Sequence, residues 1–239
     1  MTHLESGTLP SIPASGDWVL AIDTSTEQAG LALGHGSCLF ERSWEAGRTQ
    51  TTSVLPAIDA LLREARIKVS DLAAIAIATG PGTFTGLRVG MSIAKGLVLA
   101  RDLPLIGIPT LDIAASAVND VTELIAVLPA GRGRVVWLRY GPYADQEPRN
   151  TTVPQLVEYL TDIPEVLVIG ELAVEHQQTI ERSHTHTRWE NRQPGILLER
   201  ARERWLRGEA DDPVTLEPTY LHGVTVIAGP VRDRLRKED

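Results

Sequence analysis

The sequence predicts an α/β protein built as two lobes, and three observations carry that prediction. Strand-like segments come first as a group of three and then alternate with helical patterns, so the elements are not segregated into strand and helix halves. The run Leu72 to Thr79 is continuous and aliphatic, as in a strand covered on both faces. With 239 residues, the chain can bury a genuine core as one large domain or as two small lobes sharing an interface.

The elements follow in order. Met1 to Gly16 is rich in Ser, Thr, Gly and Pro without any period, which reads as a flexible leader (1–16). Trp18 to Asp23, Gly30 to Gly34 and Ser37 to Trp44 read as three short strands, with Gly34-His35-Gly36 turning the second into the third. From Thr51 to Arg66 apolar residues recur at three and four, which predicts a helix with Pro56 in or near its first turn. After the aliphatic strand come a glycine loop, a helix over Leu87 to Arg101 and a strand over Pro104 to Ile108, completing a first lobe at 17–109. Strand, strand, strand, helix, strand, helix, strand is the order of a ribonuclease-H-like lobe.

A second, smaller lobe is expected over 110–210. It opens with a short helix at Thr110 and continues through strands at Leu124 to Leu128, Val135 to Tyr140 and Val166 to Ile169, the first two joined by a hairpin turn at Gly131 and Gly133. Helices are expected over Val153 to Leu160, Leu172 to Ile180 and Gly195 to Leu206, and an irregular, finally charged tail over 211–239. No internal repeat is legible.

The composition is 43% hydrophobic and 23% charged, and no apolar run approaches the roughly 20 residues of a membrane span. Cys38 is the single cysteine and lies inside a predicted strand, which reads as a small buried filler. No secretory signal is visible at the N-terminus, and both features point to the cytoplasm. The net charge of -8 argues against a chain that holds nucleic acid by its own field.

Two segments bear residues capable of chemistry. Thr79-Gly80-Pro81-Gly82-Thr83-Phe84-Thr85-Gly86-Leu87-Arg88 joins a strand to a helix, where exposed amides and a helix N-terminus can receive an anion. It has neither the Walker pattern nor the dinucleotide spacing, and on local physics it reads first as a tight strand-to-helix turn. Asp23-Thr24-Ser25 directly follows a buried strand, where a carboxylate and hydroxyls can orient phosphate or a magnesium-bound water, or simply bond their own backbone. Asp23, Thr24, Ser25, Gly80, Gly82 and Thr83 are therefore the candidates for a nucleotide or anion site of vestigial kind. The second lobe shows no matching phosphate turn. His184-Thr185-His186 can place two rings on one side of a strand, but no third ligand is evident.

Ala21-Ile22-Asp23-Thr24-Ser25-Thr26, Leu55-Pro56-Ala57-Ile58, the loop Gly80 to Gly90 and Lys95-Gly96-Leu97 together resemble the TsaB (YeaZ) family. The match is close from about Val19 to Ala117 and weak beyond. Glu217-Pro218-Thr219-Tyr220-Leu221 resembles the family's terminal Pro-x-Tyr-Leu element, with His222 where Arg is usual. The resemblance implies the two-lobed actin-like ATPase (ASKHA, ribonuclease-H-like) fold. It also implies a non-catalytic dimerisation subunit, a pseudoenzyme that works with its catalytic paralogue TsaD and the ATPase TsaE. Their product is N6-threonylcarbamoyladenosine at adenosine 37 of tRNA, and this chain meets tRNA only through the complex. A homodimer is expected in isolation. No cofactor is expected on this chain by itself, with ATP or ADP and Mg at the level of the complex.

The paralogue carries a His-x-x-x-His metal pair on its first helix, and the corresponding Gly47 to Ser53 here contains no histidine, so no metal site is expected there. The two first-lobe helices are apolar around most of their circumference. That surplus nominates a partner interface of Val54, Ala57, Ile58, Leu61 and Ala65 on the first helix. On the second it nominates Gly86, Gly90, Met91, Ala94 and Leu97, with Gly86, Gly90 and Ala94 forming a smooth strip toward a partner helix. The alternatives are that the second lobe covers the surplus, or that the chain is a small actin-like kinase or ATPase using Asp23 and the Gly80–Gly86 loop.

Overall fold

The computed structural model describes residues 17–222 and 225–226. The expected leader and the charged end of the tail lie outside these described residues.

The first lobe runs β1 (Trp18–Asp23), β2 (Gln28–His35), β3 (Cys38–Glu45), α1 (Gln50–Glu64), β4 (Leu72–Ala78), α2 (Phe84–Arg101) and β5 (Leu105–Ile108). Its sheet is ordered β3-β2-β1-β4-β5, with β2 antiparallel to both neighbours and β1, β4 and β5 parallel. Period-two alternation decides what each strand gives to each face. Trp18, Leu20, Ile22, Ile75 and Ile77 point into the layer beneath α1 and α2, while Val19, Ala21, Ala74, Ala76 and Ala78 form the opposite face. The small side chains of that second face let a helix approach closely. Each Leu or Ile so buried contributes about 1.5–3 kcal/mol.

The occupant of that alanine-rich face is a correction to the expected lobe boundary. Helix α6 (Pro194–Leu206), assigned by sequence to the second lobe, packs Leu197, Leu198 and Ala201 onto the first sheet. Its Pro194 fits against Gly30, where any Cβ would come within 2.5 Å of the ring.

The second lobe runs α3 (Thr110–Ala115), β6 (Leu124–Pro129), β7 (Arg134–Tyr140), β8 (Arg149–Thr152), α4 (Val153–Thr161), β9 (Leu167–Gly170), α5 (Val174–Glu181) and β10 (Thr187–Trp189). The sheet order is β10-β9-β6-β7-β8, with β6–β7 and β7–β8 antiparallel and β6–β9 and β9–β10 parallel. Numbered within the lobe, this is the same third-second-first-fourth-fifth order as in the first. The molecule is thus a doubled ribonuclease-H-like unit, the actin-like arrangement. The predicted hairpin turn is present, with Gly131, Arg132 and Gly133 all at positive φ. The short polar strands β8 and β10 carry no readable pattern. A final two-stranded ribbon pairs β11 (Leu221–His222) with β12 (Thr225–Val226).

Two boundaries differ from expectation for local reasons. Helix α2 begins at Phe84, three residues earlier than predicted, because Thr83 takes the extended N-cap conformation and Gly86 is drawn into the helix. Pro56 lies in the interior of α1 rather than near its start. Both it and Thr52, whose carbonyl loses its helical donor, are exposed to water, which lowers the cost.

Candidate functional site

The carboxyl end of β1 is where chain segments from both lobes meet. Asp23 is 4% exposed, and Thr24, Ser25 and Thr26 are all buried. Ser25 donates its amide (2.9 Å) and its hydroxyl (2.6 Å) to Asp23 Oδ1, a local turn that these residue types favour. Thr24 Oγ1 donates to the Gly86 carbonyl at 2.7 Å, tying the turn to α2. Gln50 Nε2 donates to the carbonyls of Thr24 (3.3 Å) and Thr26 (2.5 Å), tying it to α1.

The glycine loop joins the same assembly. Gly82 lies against the Ser25 carbonyl, where a Cβ would sit 2.1 Å from the oxygen, and the Thr83 amide donates to that carbonyl at 2.6 Å. The Gly80 amide donates to Thr110 Oγ1 at 3.0 Å. Two of the amides that an anion would need are therefore spent on the chain itself. The family-like terminal element closes the outer side of the loop: the Thr219 amide donates to the Thr79 carbonyl at 2.7 Å, and Arg88 Nε donates to the Tyr220 hydroxyl at 3.0 Å. Arg88 also lies over the Phe84 ring, 3.7 Å from its centroid.

A residue from the far end of the chain completes the site. Arg192, in the segment between β10 and α6, donates Nε to Asp23 Oδ2 (2.9 Å), Nη1 to Glu171 Oε1 (2.5 Å) and Nη2 to Ser25 Oγ (3.0 Å) and Thr26 Oγ1 (3.3 Å). All three guanidinium nitrogens are used, and the side chains of Arg192, Asp23 and Glu171 are 3%, 6% and 11% exposed. Burial by itself would push the Asp23 carboxyl up, but the Arg192 charge and the hydrogen bonds from Arg192 and Ser25 outweigh it and hold the group below the ordinary carboxylate range. Arg192 is shifted the opposite way: burial disfavours its charge, and Asp23 and Glu171 together more than restore it.

An actin-like fold implies a magnesium nucleotide in this cleft, and these residues do not fit one. Both Asp23 oxygens are occupied, a fixed cation already stands beside them, and the loop amides of Gly80 and Thr83 are bonded within the chain. Among the described residues no group of three or more His, Cys, Asp or Glu is placed to hold a metal. His184 is buried and its Nε2 bonds the Val166 carbonyl at 2.7 Å, whereas His186 is exposed beside Glu165, the two rings 6.2 Å apart edge to face. A groove of about 470 Å³ lies along the edge strand β3 and α6, lined by Cys38, Leu39 and Ile196 among others, and does not include Asp23.

The nominated partner strip is corrected by the packing. Gly86 abuts the Thr24 carbonyl and Gln50, and Gly90 lies so close to Thr24 that a Cβ would sit 2.3 Å from its hydroxyl. Ala94, Met91, Val54, Ile58, Leu61 and Ala65 are buried in the layer between the helices and the first sheet. The small residues permit close approach, as the spacing suggested, but to the chain's own Asp23–Thr26 turn. Of the nominated residues, Ala57 and Leu97 remain half-exposed, together with Val89 and Ile93. Leu55 (54% exposed) and Leu99 (69%) also face outward from these helices.

Sequence reasoning brought Asp23–Ser25 and Gly80–Thr83 to one place and missed Gln50, Glu171 and Arg192. The usable signal was position: Glu171 follows the carboxyl end of β9 as Thr24 follows that of β1, and such strand ends line the cleft of α/β sheets.

Comparison with known proteins supplies the lineage. Residues 44–188 match the family model described as TsaD: tRNA N6-adenosine threonylcarbamoyltransferase. The tRNA threonylcarbamoyladenosine biosynthesis protein TsaB of Escherichia coli is 33% identical over 147 residues, a stretch spanning 58% of this chain and 64% of that protein. TsaB of Haemophilus influenzae is 28% identical over 219 residues, covering 85% and 92%. The structure of YeaZ from Pseudomonas aeruginosa superposes with a TM-score of 0.70 at 25% identity, covering 86% of this chain and all of that one. The chain belongs to the family that the TsaD model describes, and within it resembles the TsaB (YeaZ) proteins in sequence and fold.

Proposed function

We propose that this chain is a non-catalytic subunit in the synthesis of N6-threonylcarbamoyladenosine at position 37 of tRNA, and that it pairs with and activates a TsaD-like catalytic subunit. The observation that carries the non-catalytic reading is the Asp23–Arg192–Glu171 cluster. A carboxylate that must align a metal for phosphoryl transfer needs free coordination, and Asp23 has given both its oxygens to the protein.

Pairing is assigned to the outer seam between α1 and α2. Ala57, Val89, Ile93 and Leu97 are half-buried apolar residues on adjacent helices, flanked by exposed Leu55 and Leu99. An apolar seam of this kind suits a helical face of another subunit. A second copy of this chain takes the same surface in isolation. A TsaE-like ATPase supplies nucleotide turnover in the complex, and tRNA is engaged through the partner, consistent with the acidic balance of this chain.

Reconstitution with TsaD-like and TsaE-like proteins tests the reading. The purified chain with ATP and magnesium is expected to show no turnover, while Ile93→Arg is expected to stay folded, lose the TsaD-like partner and abolish tRNA modification. Turnover by the chain itself at about 1 per second would instead establish an actin-like kinase or ATPase. Full modification with Ile93→Arg would remove the seam from the interface.

A further inference from the structure

We propose that Arg192 stands in for the nucleotide-bound metal as the tie between the two lobes, and that through the Asp23–Thr26 turn it positions the α1–α2 face for its partner. The second half of this inference rests on the function proposed above.

The argument starts from connectivity. Asp23 ends β1 of the first lobe and Glu171 follows β9 of the second, and among the described residues the side chain that bonds both is Arg192. Its planar fork serves three directions at once, which a lysine ammonium on a flexible stem cannot reproduce. In a nucleotide-dependent relative, a ligand in this cleft would bridge the lobes and leave with its product. Here the bridging charge is covalently part of the chain, so it does not depart with a product.

The turn that receives Arg192 also holds both partner-facing helices. Ser25 and Thr26 accept from Arg192 Nη2, and Thr26 offers its carbonyl to Gln50, in the first turn of α1. Thr24 donates to Gly86 of α2, and Gly90 of α2 packs against the same threonine. A contiguous set of hydrogen bonds and close contacts therefore runs from Glu171 through Arg192 and residues 23–26 to the N-terminal turns of α1 and α2. Such a network transmits a change only if loss of one member lets the others rearrange. A buried carboxylate stripped of its guanidinium supplies that drive, since it must protonate, hydrate or move.

Arg192→Ala in the full chain provides the test, with guanidinium chloride as the probe. Millimolar guanidinium is expected to raise the melting temperature of Arg192→Ala above its value in equal sodium chloride, while leaving the unsubstituted chain unchanged or slightly lower, because a ligand that binds only the folded state stabilises it. Affinity for a TsaD-like subunit is expected to fall about tenfold or more in Arg192→Ala and to recover with guanidinium, within the usual range of coupling between sites. Amide exchange at residues 24–26 and the start of α1 is expected to quicken in parallel. If Arg192→Ala does not fold, Arg192→Lys carries the melting, affinity and exchange measurements without added guanidinium, and a partial loss in each is expected because the ammonium cannot serve all three directions. A folded variant with unaltered melting and exchange, or a folded Arg192→Ala that guanidinium does not restore, overturns the tie. Restored melting with partner affinity unchanged throughout overturns the positioning role. Failure of the unsubstituted chain to bind the TsaD-like subunit instead sinks the proposed function, and the melting and exchange results then decide the tie by themselves.

Discussion

Between β1 and β2 the first lobe turns through Thr24, Ser25 and Thr26, each no more than 3% exposed, whereas at the same place in the second lobe, between β6 and β7, the chain turns through exposed Gly131-Arg132-Gly133. The strand order around the two turns is identical. The first gathers α1, α2, the glycine loop and Arg192, while the second makes an ordinary reversal in water. Topology placed two equivalent strand ends, and local residue type decided which became a hub. Short side chains with hydroxyls and a carboxylate can satisfy backbone and guanidinium groups in a dry space. Glycines at positive φ need nothing around them.

The largest effect expected from breaking this contrast is at the helix packed on the hub. Ala94 is fully buried in the layer that α2 shares with the first sheet. Ala94→Arg should therefore unfold the monomer, with a loss above about 4 kcal/mol from overpacking and an unpaired buried charge. Circular-dichroism melting checks it. A folded monomer that merely fails to associate would return Ala94 to an outward-facing strip.

A smaller loss is expected inside the hub. Asp23→Asn leaves Arg192 with Glu171 and the hydroxyls, so about 3 kcal/mol should disappear at neutral pH, the low end of the range for breaking a buried pair. The sign with pH follows from the depressed folded pKa of Asp23. Its contribution is fully present above the unfolded carboxylate value of about 3.9 and is lost as pH falls through the lower folded value, because the unfolded chain takes up the proton first. Urea midpoints measured from neutral to about pH 3 should thus fall less steeply for Asp23→Asn than for the unsubstituted chain. Parallel acid limbs would show that Asp23 is not the carboxylate held by Arg192.

The same contrast explains how far the sequence could be read. Strands β1 and β4 were legible because each is a short unbroken apolar run followed by turn residues, and the turn at Gly131 and Gly133 because two glycines sit between two apolar runs. The short strands β8 (Arg-Asn-Thr-Thr) and β10 (Thr-Arg-Trp) offered no period, since half-buried edge positions accept polar residues. The doubling of the fold left no internal repeat, because strand order repeats without the residues repeating, and it was implied only by the family resemblance. At the site, Asp23 and the glycine loop were readable as strand-end chemistry. Arg192 was not, since it meets Asp23 across 169 residues and stands in sequence as one arginine before a helix that begins with proline. The helix α2 misled for a specific reason: an apolar surplus was assigned to a partner, when its smooth strip was being used by the buried turn.

The smallest effect should come from the second lobe's own turn. Arg132 is exposed and adopts φ 51°, the left-handed region that a residue with a Cβ enters at a cost of about 1–2 kcal/mol. Arg132→Gly removes that cost and gives back about 0.5–1 kcal/mol through the greater freedom of glycine in the unfolded chain. Among the described residues no buried group is bonded to the arginine, so the net change should be a gain of no more than about 1.5 kcal/mol, read as a slightly raised urea midpoint with unchanged slope. The outcome separates the two turns by mechanism as well as size. If Arg132→Gly instead destabilises the chain by about as much as Asp23→Asn does, roughly 3 kcal/mol, then the second turn is also held by its side chain, and the asymmetry between the lobes is not a difference between a packed hub and a solvated reversal.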